Sequence, residues 1–246
     1  MTENGALADQ RVLVVVPTYN ERDNLPELAH AVLARPNYRM LVVDDNSPDG
    51  TGAVAEQLGA QYPDRLLVLH RTGPRGLGRS YVDGLLRAIT MNDVDLVCQM
   101  DADLSHNPEY LPALAAAARQ HFDVVIGSRY LQGVSVVNWP LHRIFLSAFA
   151  NRYIRAVTRL SPTDCTSGFR CWRREALARL PLDTMVSDGY AFLVEMLFEA
   201  NQRGCRIGEV PIIFVERRQG QSKVSTPVLI ESLITPWRLR LRRPRP

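Results

Sequence analysis

The sequence predicts an α/β protein with a mostly parallel sheet and helices on both of its faces. Three observations predict this fold class. Strand and helix patterns alternate over the first two-thirds of the chain, the strands are continuous apolar runs, and four of these runs end in polar clusters. Continuous apolar runs are typical of strands that are covered on both faces, as parallel strands are. Ligands bind beyond the carboxyl ends of such strands, so we expect the polar clusters to converge on one site.

The elements follow in order from the spacing of the apolar residues. Residues 12–16 form the first unbroken apolar run, and Leu25, Leu28 and Val32 then recur at helical spacing. The same alternation continues along the chain. The predicted strands are residues 11–17, 39–44, 66–70, 94–100 and 124–127, and the predicted helices between them are residues 21–33, 53–62, 80–89 and 108–121. A glycine-rich loop at residues 73–78 does not match the dinucleotide-binding pattern G-x-G-x-x-G.

The last third of the chain has a different pattern. Apolar spacing predicts helices at residues 139–160 and 190–203 and a strand at residues 208–215. An amphipathic stretch and a basic tail then end the chain. The expected regions are a disordered N terminus at residues 1–10, a single α/β domain at residues 11–225 and an amphipathic, basic tail at residues 226–246.

The composition is that of an ordinary globular protein, since 46% of the 246 residues are hydrophobic and 22% are charged. The four cysteines form no C-x-x-C pair, which favours free thiols in a reducing compartment. We expect no secretory signal, because residues 1–10 are polar and lack an apolar segment. We also expect no membrane-spanning helix, because the apolar runs are far shorter than the roughly 20 residues that cross a bilayer.

The net charge of +3 hides a strongly basic C terminus. Without the five arginines of the last nine residues the net charge would be −2. These arginines are Arg238, Arg240, Arg242, Arg243 and Arg245. Together with the nearby apolar Leu233 and Trp237 they indicate an anionic membrane surface as partner, and a solvated disordered tail is the alternative. The rest of the chain offers no basic groove with stacking aromatic residues, so we expect no nucleic-acid partner.

Asp101 and Asp103 stand two residues apart, directly after the predicted strand at residues 94–100. Carboxylate oxygens suit Mg²⁺ and Mn²⁺, which usually bind through one or two carboxylates plus substrate phosphates. The pair therefore predicts a hard divalent cation and a phosphorylated substrate. A solvated turn is the alternative.

Two further clusters are placed to bind a nucleotide. Tyr19 and Glu21 follow the first strand, where they can flank a nucleobase and accept a hydrogen bond from a ribose. Asp45 follows the second strand, where it can accept hydrogen bonds from a base. An ordinary turn and helix cap is the alternative for both.

Two basic groups suit phosphate binding. Arg143 and Ser147 are four residues apart on a predicted helix and share a face, which suits a phosphate that does not belong to the nucleotide. Arg217 and Lys223, the only lysine of the chain, lie in a polar loop that suits closure over a diphosphate. A solvated helix face and a bare surface loop are the alternatives.

The motifs, taken in order, resemble the dolichol- or polyprenol-phosphate mannose synthases, which are inverting glycosyltransferases of family 2 with the Rossmann-like GT-A fold. The motifs are PTYNE, DDNSPDG, GLG, DADLSHNPE, GSRY, SGFR and EVPIIFVERRQGQSK, and they cover about residues 11–225. The resemblance implies metal-dependent transfer of mannose from GDP-mannose to a polyprenyl (dolichyl-type) phosphate, with inversion at the anomeric carbon. The acceptor phosphate then attacks without a general base, because its second pKa of about 6 leaves it largely dianionic at neutral pH.

The resemblance also assigns roles by position. It places Pro17, Tyr19, Glu21, Val43, Asp45, Asp101, Ala102, Asp103, Arg129, Arg217 and Lys223 at the donor, and Asp101 and Asp103 at Mg²⁺ or Mn²⁺. It places Arg129, Arg143 and Ser147 at the acceptor phosphate, and it gives catalytic roles to Asp103, Arg129, Arg217 and Lys223. Ser105 stands where some relatives carry glutamine, so the third protein ligand of the metal is open.

A location at the cytoplasmic face of a membrane is implied as well. Some relatives carry transmembrane helices after the catalytic domain, whereas this sequence continues into the basic tail at residues 226–246. We therefore expect peripheral attachment through this tail or through a membrane-anchoring protein partner.

Two alternatives to this function stay open. A related transferase would use a UDP-sugar such as UDP-glucose, or a different acceptor. A saccharide acceptor would need a catalytic carboxylate, for which Asp188 and Glu195 are the candidates. The second alternative is a non-catalytic nucleotide-binding protein, which the intact acid pair and the lone lysine disfavour.

Overall fold

The computed structural model describes residues 11–185, 187, 189–216 and 226–242, with the backbone only for residues 226–230 and 232. The N terminus at residues 1–10, which we expect to be disordered, lies outside the described residues. Asp188, Arg217 and Lys223 lie outside them too.

The described strands build one large sheet and a separate small one. They are β1 (Val12–Thr18), β2 (Tyr38–Asp44), β3 (Leu66–His70), β4 (Leu96–Gln99), β5 (Val124–Ser128), β6 (Val136–Val137), β7 (Arg170–Arg173), β8 (Ile207–Pro211) and β9 (Phe214–Val215). The seven-stranded sheet has the order β3-β2-β1-β4-β7-β5-β8, while β6 and β9 pair with each other. Every pairing in the large sheet is parallel except those of β7, which is antiparallel to β4 and β5. The predicted fold class is confirmed.

Helices cover both faces of this sheet. The described α-helices are α1 (Leu25–Leu33), α2 (Thr51–Gln61), α3 (Leu77–Ile89), α4 (Leu111–Gln120), α5 (Leu141–Thr158), α6 (Arg174–Leu177), α7 (Gly189–Gln202) and α8 (Thr226–Leu241). Local sequence sets where they begin. At α2, for example, the Thr51 amide donates to Asp49 Oδ1 at 3.0 Å, and Gly50 takes the left-handed conformation with φ of 91°.

The core lies in two layers, one on each side of the sheet. Alternate residues of β1 point to opposite faces, so Leu13 and Val15 join one buried cluster and Val14 and Val16 join the other. The first cluster contains α3 and α7 side chains, and the second contains side chains of α1, α2 and α4. This two-sided burial explains why β1 is an unbroken apolar run.

Two details differ from the sequence-based expectation. The predicted strand at residues 208–215 is two strands, because the chain leaves β5 after Pro211 and Phe214–Val215 then pairs with β6. The short strand β7 is not predicted, because its four residues have arginine at both ends and form no apolar run. Its position between β4 and β5 follows from pairing alone.

The C-terminal helix α8 packs against α5 and α7, and its Leu239 is fully buried. The proposed region boundary at residue 225 therefore stays a prediction, with α8 in direct contact with the rest of the molecule. Among the described residues, no helix combines the length and the apolar character that crossing a membrane requires.

Candidate active site

The carboxyl ends of β1, β2, β4 and β5 lie along one edge of the sheet. β4 and β5 are both antiparallel to β7, so they share the direction of β1 and β2. The Asp45 amide donates to the Thr18 carbonyl at 3.0 Å, and the Met100 amide donates to the Val15 carbonyl at 3.2 Å. The structure thus brings the predicted polar clusters to one edge. These clusters are residues 17–21, 44–47, 101–103 and 127–130.

The acid pair is held in place by its own turn and by α3. Asp103 is almost fully buried, and its Oδ1 accepts from the Ser105 amide at 3.1 Å and from Ser105 Oγ at 2.5 Å. Leu104 between them has φ of 61°, a strained conformation for a residue with a branched side chain. Asp101 Oδ1 accepts from the Tyr81 hydroxyl at 3.2 Å. Burial, and next the charge of Asp101, raise the pKa of Tyr81 well above its usual 10.0, so this hydroxyl stays a donor.

His106 and Gly168 shape the space beside Asp101. The Asp101 amide donates to His106 Nδ1 at 3.1 Å, and the ring of His106 stacks on Phe169 with centroids 5.0 Å apart. A Cβ at Gly168 would lie 3.5 Å from Asp101 Oδ1 and 3.6 Å from His106 Cε1. Glycine at this position therefore keeps the approach to Asp101 open.

Asp45 is buried and bound by the glycine-rich loop. Arg71 Nη1 donates to Asp45 Oδ1, and the Gly76 amide donates to Asp45 Oδ2 at 2.9 Å. Arg71 Nε also donates to Asp83 Oδ2 at 2.6 Å. The carboxylate at the end of β2 thus joins this loop to the sheet edge.

The other predicted donor residues differ in exposure. The Arg75 guanidinium lies 4.5 Å from the centre of the Tyr19 ring, and Glu21 Oε2 accepts from Asn24 Nδ2 at 2.8 Å. Val43 is fully buried and faces α3, where a Cβ at Gly84 would lie 2.8 Å from Val43 Cγ2. Pro17 is half-buried and Ala102 is buried at the same edge.

Arg129 is buried and held by an acid that sequence analysis misses. Its Nε and Nη2 donate to the two carboxylate oxygens of Asp164 at 2.7 Å each, and Nη2 donates to Thr166 Oγ1 at 2.8 Å. Burial alone would raise the pKa of Asp164, but the charge and hydrogen bonds of Arg129 outweigh it and hold that pKa below 3.8. No described residue accepts a hydrogen bond from Arg129 Nη1.

Arg143 and Ser147 share one face of α5, as predicted. Arg143 Nη1 donates to both carboxylate oxygens of Glu216 at 2.6 Å, and its guanidinium lies 4.0 Å from the centre of the Trp139 ring. Ser147 Oγ accepts from the Tyr130 hydroxyl at 2.8 Å. These contacts fix a guanidinium and a hydroxyl one helical turn apart.

A cavity of about 330 Å³ lies between α5, α7 and α8, and its walls are mainly apolar. The apolar walls include Leu146, Phe149, Ile154, Val194, Leu233 and Pro236. At one end Arg129 and Arg143 are shared with a smaller polar hollow of about 40 Å³ that also contains Asp101 and Asp103. The acid pair, the two arginines and the apolar cavity therefore form one continuous site.

Exposed apolar side chains lie on α5 and α8, two of the helices that wall this cavity. We call them the apolar rim: Leu141, Phe145, Leu146 and Phe149 of α5, and Leu233, Ile234, Trp237 and Leu241 of α8. Each is more than half exposed, with values from 52% to 78%. Exposed apolar side chains grouped on two neighbouring helices are typical of a protein or membrane contact.

Four residues of the site escape sequence analysis. Tyr81 lies on α3 and Arg71 lies before this helix, and neither belongs to a recognised motif. Asp164 lies three residues before the SGFR motif. Glu216 is inside the long motif of residues 209–223, directly before Arg217. For Asp164 and Glu216, a position beside or inside a recognised motif was the one sequence signal that could have indicated a place in the site.

The chain is similar to known transferases over nearly its whole length. The family model described as Glycosyl transferase family 2 matches residues 13–180. A polyprenol monophosphomannose synthase from Mycolicibacterium smegmatis is 44% identical over 236 residues, covering 95% of this chain and 89% of that protein. An undecaprenyl-phosphate mannosyltransferase from Micrococcus luteus is 44% identical over 235 residues, covering 94% of this chain and 96% of that protein.

Solved structures share the fold at low identity. Glucosyl-3-phosphoglycerate synthase from Mycobacterium tuberculosis, in complex with Mn²⁺, UDP and glucosyl-3-phosphoglycerate, matches with a TM-score of 0.69 and 18% identity, over 96% of this chain and 81% of that chain. The same enzyme with Mn²⁺ and UDP-glucose matches with a TM-score of 0.65 and 18% identity, over 94% and 80%.

Proposed function

The chain belongs to glycosyl transferase family 2, and from this premise we propose that it transfers mannose from GDP-mannose to a polyprenyl phosphate. The expectation of a glycosyltransferase is confirmed by the family match and by the two relatives that are 44% identical. GDP-mannose as donor and inversion at the anomeric carbon are part of the proposal.

The observation that carries the proposal is the pairing of an apolar cavity with a cationic end. The cavity of about 330 Å³ suits the first isoprenoid units of a lipid, and Arg129 and Arg143 at its end suit the phosphate. The neighbouring acid pair suits a metal-bound diphosphate. A lipid phosphate and a nucleotide sugar would thus meet where the cavity and the polar hollow join.

The donor would lie along the ends of β1, β2 and β4. We assign Tyr19, Glu21 and Asp45 to the guanine nucleotide, with backbone contacts from Pro17 and Val43, and Ala102 to the sugar side. Asp45 is paired with Arg71, so a base at this position would bind beside that ion pair or displace it.

Asp101 and Asp103 would hold Mg²⁺ or Mn²⁺. Two fixed carboxylates at a strand end fit a hard cation that takes further oxygen ligands from phosphate and water. Within the described residues, no group of three or more His, Cys, Asp or Glu side chains is placed to hold a metal, so phosphate and water would complete the shell. When bound, the metal would counter the charge on the diphosphate. Ser105, which donates to Asp103 Oδ1, would orient this ligand.

The chemistry needs positioned charges and no general base. The acceptor phosphate, largely dianionic at neutral pH, would attack the anomeric carbon opposite the leaving GDP and so invert it. Arg129 through Nη1, and Arg143 beside Ser147, would hold this phosphate in line. Arg217 and Lys223, outside the described residues, would stabilise charge on the leaving diphosphate.

The surroundings of Glu195 support a phosphate acceptor over a saccharide. Glu195 is fully buried in α7, where it accepts from the Ser187 amide at 3.2 Å and from Arg242 at 3.0 Å. A buried carboxylate that already accepts these two hydrogen bonds is poorly placed to act as a general base. Asp188, the other candidate, lies outside the described residues.

We further propose that the enzyme works at the cytoplasmic face of a membrane as a peripheral protein. The apolar rim lies on two helices that wall the cavity that would receive the lipid, so insertion of this rim would bring the cavity to the bilayer. A membrane-anchoring protein that covers the same rim is the alternative.

One assay tests the proposed function. The protein is incubated with short polyprenyl phosphate and either GDP-mannose or UDP-glucose, with Mn²⁺, with Mg²⁺ or with a chelator, and organic-phase sugar is measured. We expect product with GDP-mannose and metal only. Product from UDP-glucose, or none from either donor, would overturn the proposal.

Asp103→Asn tests the metal assignment within this assay. We expect transfer to fall by more than about a hundredfold, since even residues behind a ligand cost about 10–100-fold. Mn²⁺ binding, followed by electron paramagnetic resonance, should weaken in parallel. Unchanged turnover or unchanged Mn²⁺ binding would contradict the assignment of Asp103 as a metal ligand.

A further inference from the structure

Two arginines of the basic tail are bound to the protein itself. Arg238 Nη2 donates to Ser187 Oγ at 2.6 Å, and Arg242 Nη1 donates to Glu195 Oε1 at 3.0 Å. Arg242 Nη1 is also 3.8 Å from Glu199 Oε1. Arg238 lies on the last turn of α8 and Arg242 directly follows its last residue, and both contact α7 or the residues just before it.

The acids that meet Arg242 are buried in the middle of α7. The side chains of Glu195 and Glu199 are 0% and 5% exposed, whereas that of Arg242 is 31% exposed. A buried carboxylate is costly unless it is paired and hydrogen-bonded. Glu195 also accepts from the Ser187 amide, so one carboxylate joins α8 to the chain segment that leads into α7.

This segment and α8 form walls of the site. Tyr190, three residues after Ser187, lines both the apolar cavity and the polar hollow. Leu233 and Pro236 of α8 line the apolar cavity, and the Tyr153 hydroxyl of α5 donates to the Leu233 carbonyl at 2.7 Å. Arg238 and Arg242 therefore link two elements, α7 and α8, that both contribute walls to the cavity.

We propose that Arg238 and Arg242 are positioning residues for the lipid phosphate, which hold α8, Ser187 and α7 from Tyr190 onward so that the acceptor cavity keeps its walls. This inference rests on the proposed function. It separates the basic tail into two parts. Arg238 and Arg242 donate to Ser187 and Glu195, whereas among the described residues the exposed Arg240 has no hydrogen-bond partner and is left for solvent or membrane.

The test compares Arg242→Gln with Arg240→Gln, which removes the same charge from the exposed side of α8. In the full-length protein, Arg242→Gln should raise the KM for polyprenyl phosphate about tenfold, equivalent to roughly 1.4 kcal/mol, and leave the KM for GDP-mannose unchanged. Arg240→Gln should have a clearly smaller effect. Arg242→Lys, which keeps the charge, should restore most of the acceptor KM.

A double variant distinguishes a specific effect on acceptor binding from a general loss of stability. Arg242→Gln alone leaves a buried carboxylate without this partner, whereas Arg242→Gln with Glu195→Gln removes both charges. We expect the double variant to recover thermal stability but to keep the raised acceptor KM, because α8 is still not tied to α7. A stable double variant with a normal acceptor KM would overturn the proposal.

Other results would also overturn it. Equal effects of Arg242→Gln and Arg240→Gln would assign both arginines to the membrane surface, and parallel loss for donor and acceptor would mean general destabilisation. If the wild-type protein forms no lipid-linked mannose, the proposed function itself fails and this inference falls with it. An active wild-type protein with an unaffected Arg242→Gln variant removes this inference alone.

Discussion

Buried ion pairs decide how the charged side chains at this site meet a ligand. Arg129 commits Nε and Nη2 to Asp164, and no described residue accepts a hydrogen bond from its Nη1. The pair turns a flexible arginine into a fixed donor, which is what positioning a phosphate requires. The chemistry of Arg129 therefore depends on Asp164, which would touch no substrate.

Asp164→Asn tests this dependence. Removing one partner of a buried pair costs about 3–5 kcal/mol of stability and frees Arg129 to rotate, so the KM for the lipid phosphate should rise about tenfold. Urea unfolding and acceptor kinetics measure the two effects. Asp64→Asn, at an exposed position, is the matched control and should change neither. A normal acceptor KM in Asp164→Asn would contradict the dependence.

The same pair predicts a pH effect on stability. Because folding lowers the pKa of Asp164 below 3.8, its stabilisation is present above that pH and is lost as the pH falls through the folded-state pKa. The amide introduced by Asp164→Asn does not titrate. The difference in unfolding free energy between wild type and Asp164→Asn should therefore shrink from pH 6 to pH 3, and a constant difference would argue against the pair.

The sequence predicts some of these residues and not others for a physical reason. Asp45, Asp101 and Asp103 directly follow apolar strands, and parallel strands bring their carboxyl ends together whatever else the chain does. Asp164 lies 35 residues from Arg129 in a loop, and the contact exists only because the chain turns back there into β7. No pattern within a short stretch of sequence indicates that Asp164 and Arg129 are in contact.

At the scale of elements, long apolar runs are predicted well and short strands are not. The first strand is expected at residues 11–17 and found at Val12–Thr18. β6, β7 and β9 are too short to show a period, and they form only because neighbouring strands or each other offer open edges. Pairing partners, which a single stretch of sequence does not contain, set these elements.

The approach of α3 to the sheet depends on Gly84. A Cβ there would lie 2.6 Å from Val15 Cγ1 and 2.8 Å from Val43 Cγ2, both in the core. Gly84→Ala should cost about 1–2 kcal/mol net, since overpacking outweighs the gain in helix propensity. Chemical unfolding measures this loss.

Gly59 in α2 supplies the matched control. Its Cβ would lie 3.4 Å from the Leu66 carbonyl oxygen, close to an ordinary contact. Gly59→Ala should therefore gain roughly 0.5–1 kcal/mol from helix propensity alone. Equal effects of the two substitutions would mean that α3 does not depend on close packing at Gly84.

At the scale of the molecule, the site and the apolar rim face the same way. α5 and α8 contribute both cavity walls and rim residues, so lipid contact and lipid-phosphate binding share two helices. This arrangement suits an acceptor whose phosphate must reach a polar hollow while its hydrocarbon tail stays in a bilayer.

Phe145→Glu tests this orientation. Phe145 is 72% exposed on the rim, and a carboxylate there should weaken co-sedimentation with anionic phospholipid vesicles about tenfold, since burying a phenylalanine contributes roughly 1.5–3 kcal/mol. Ala156→Glu adds the same charge at an exposed position near the other end of α5 and should change binding little. Equal vesicle binding by both variants would place the membrane contact elsewhere.

β7 is inserted between β4 and β5, although it comes later in the chain than both. While the ribosome is still making α5, β4 therefore has one unpaired edge, and β5 has neither of its neighbours. Unpaired strand edges are the places where nascent chains associate with one another. The sheet can be completed only after β7 (Arg170–Arg173) and then β8 have been synthesised. Truncated products that stop within α5 would therefore carry unpaired edges on both β4 and β5 and would be prone to aggregate.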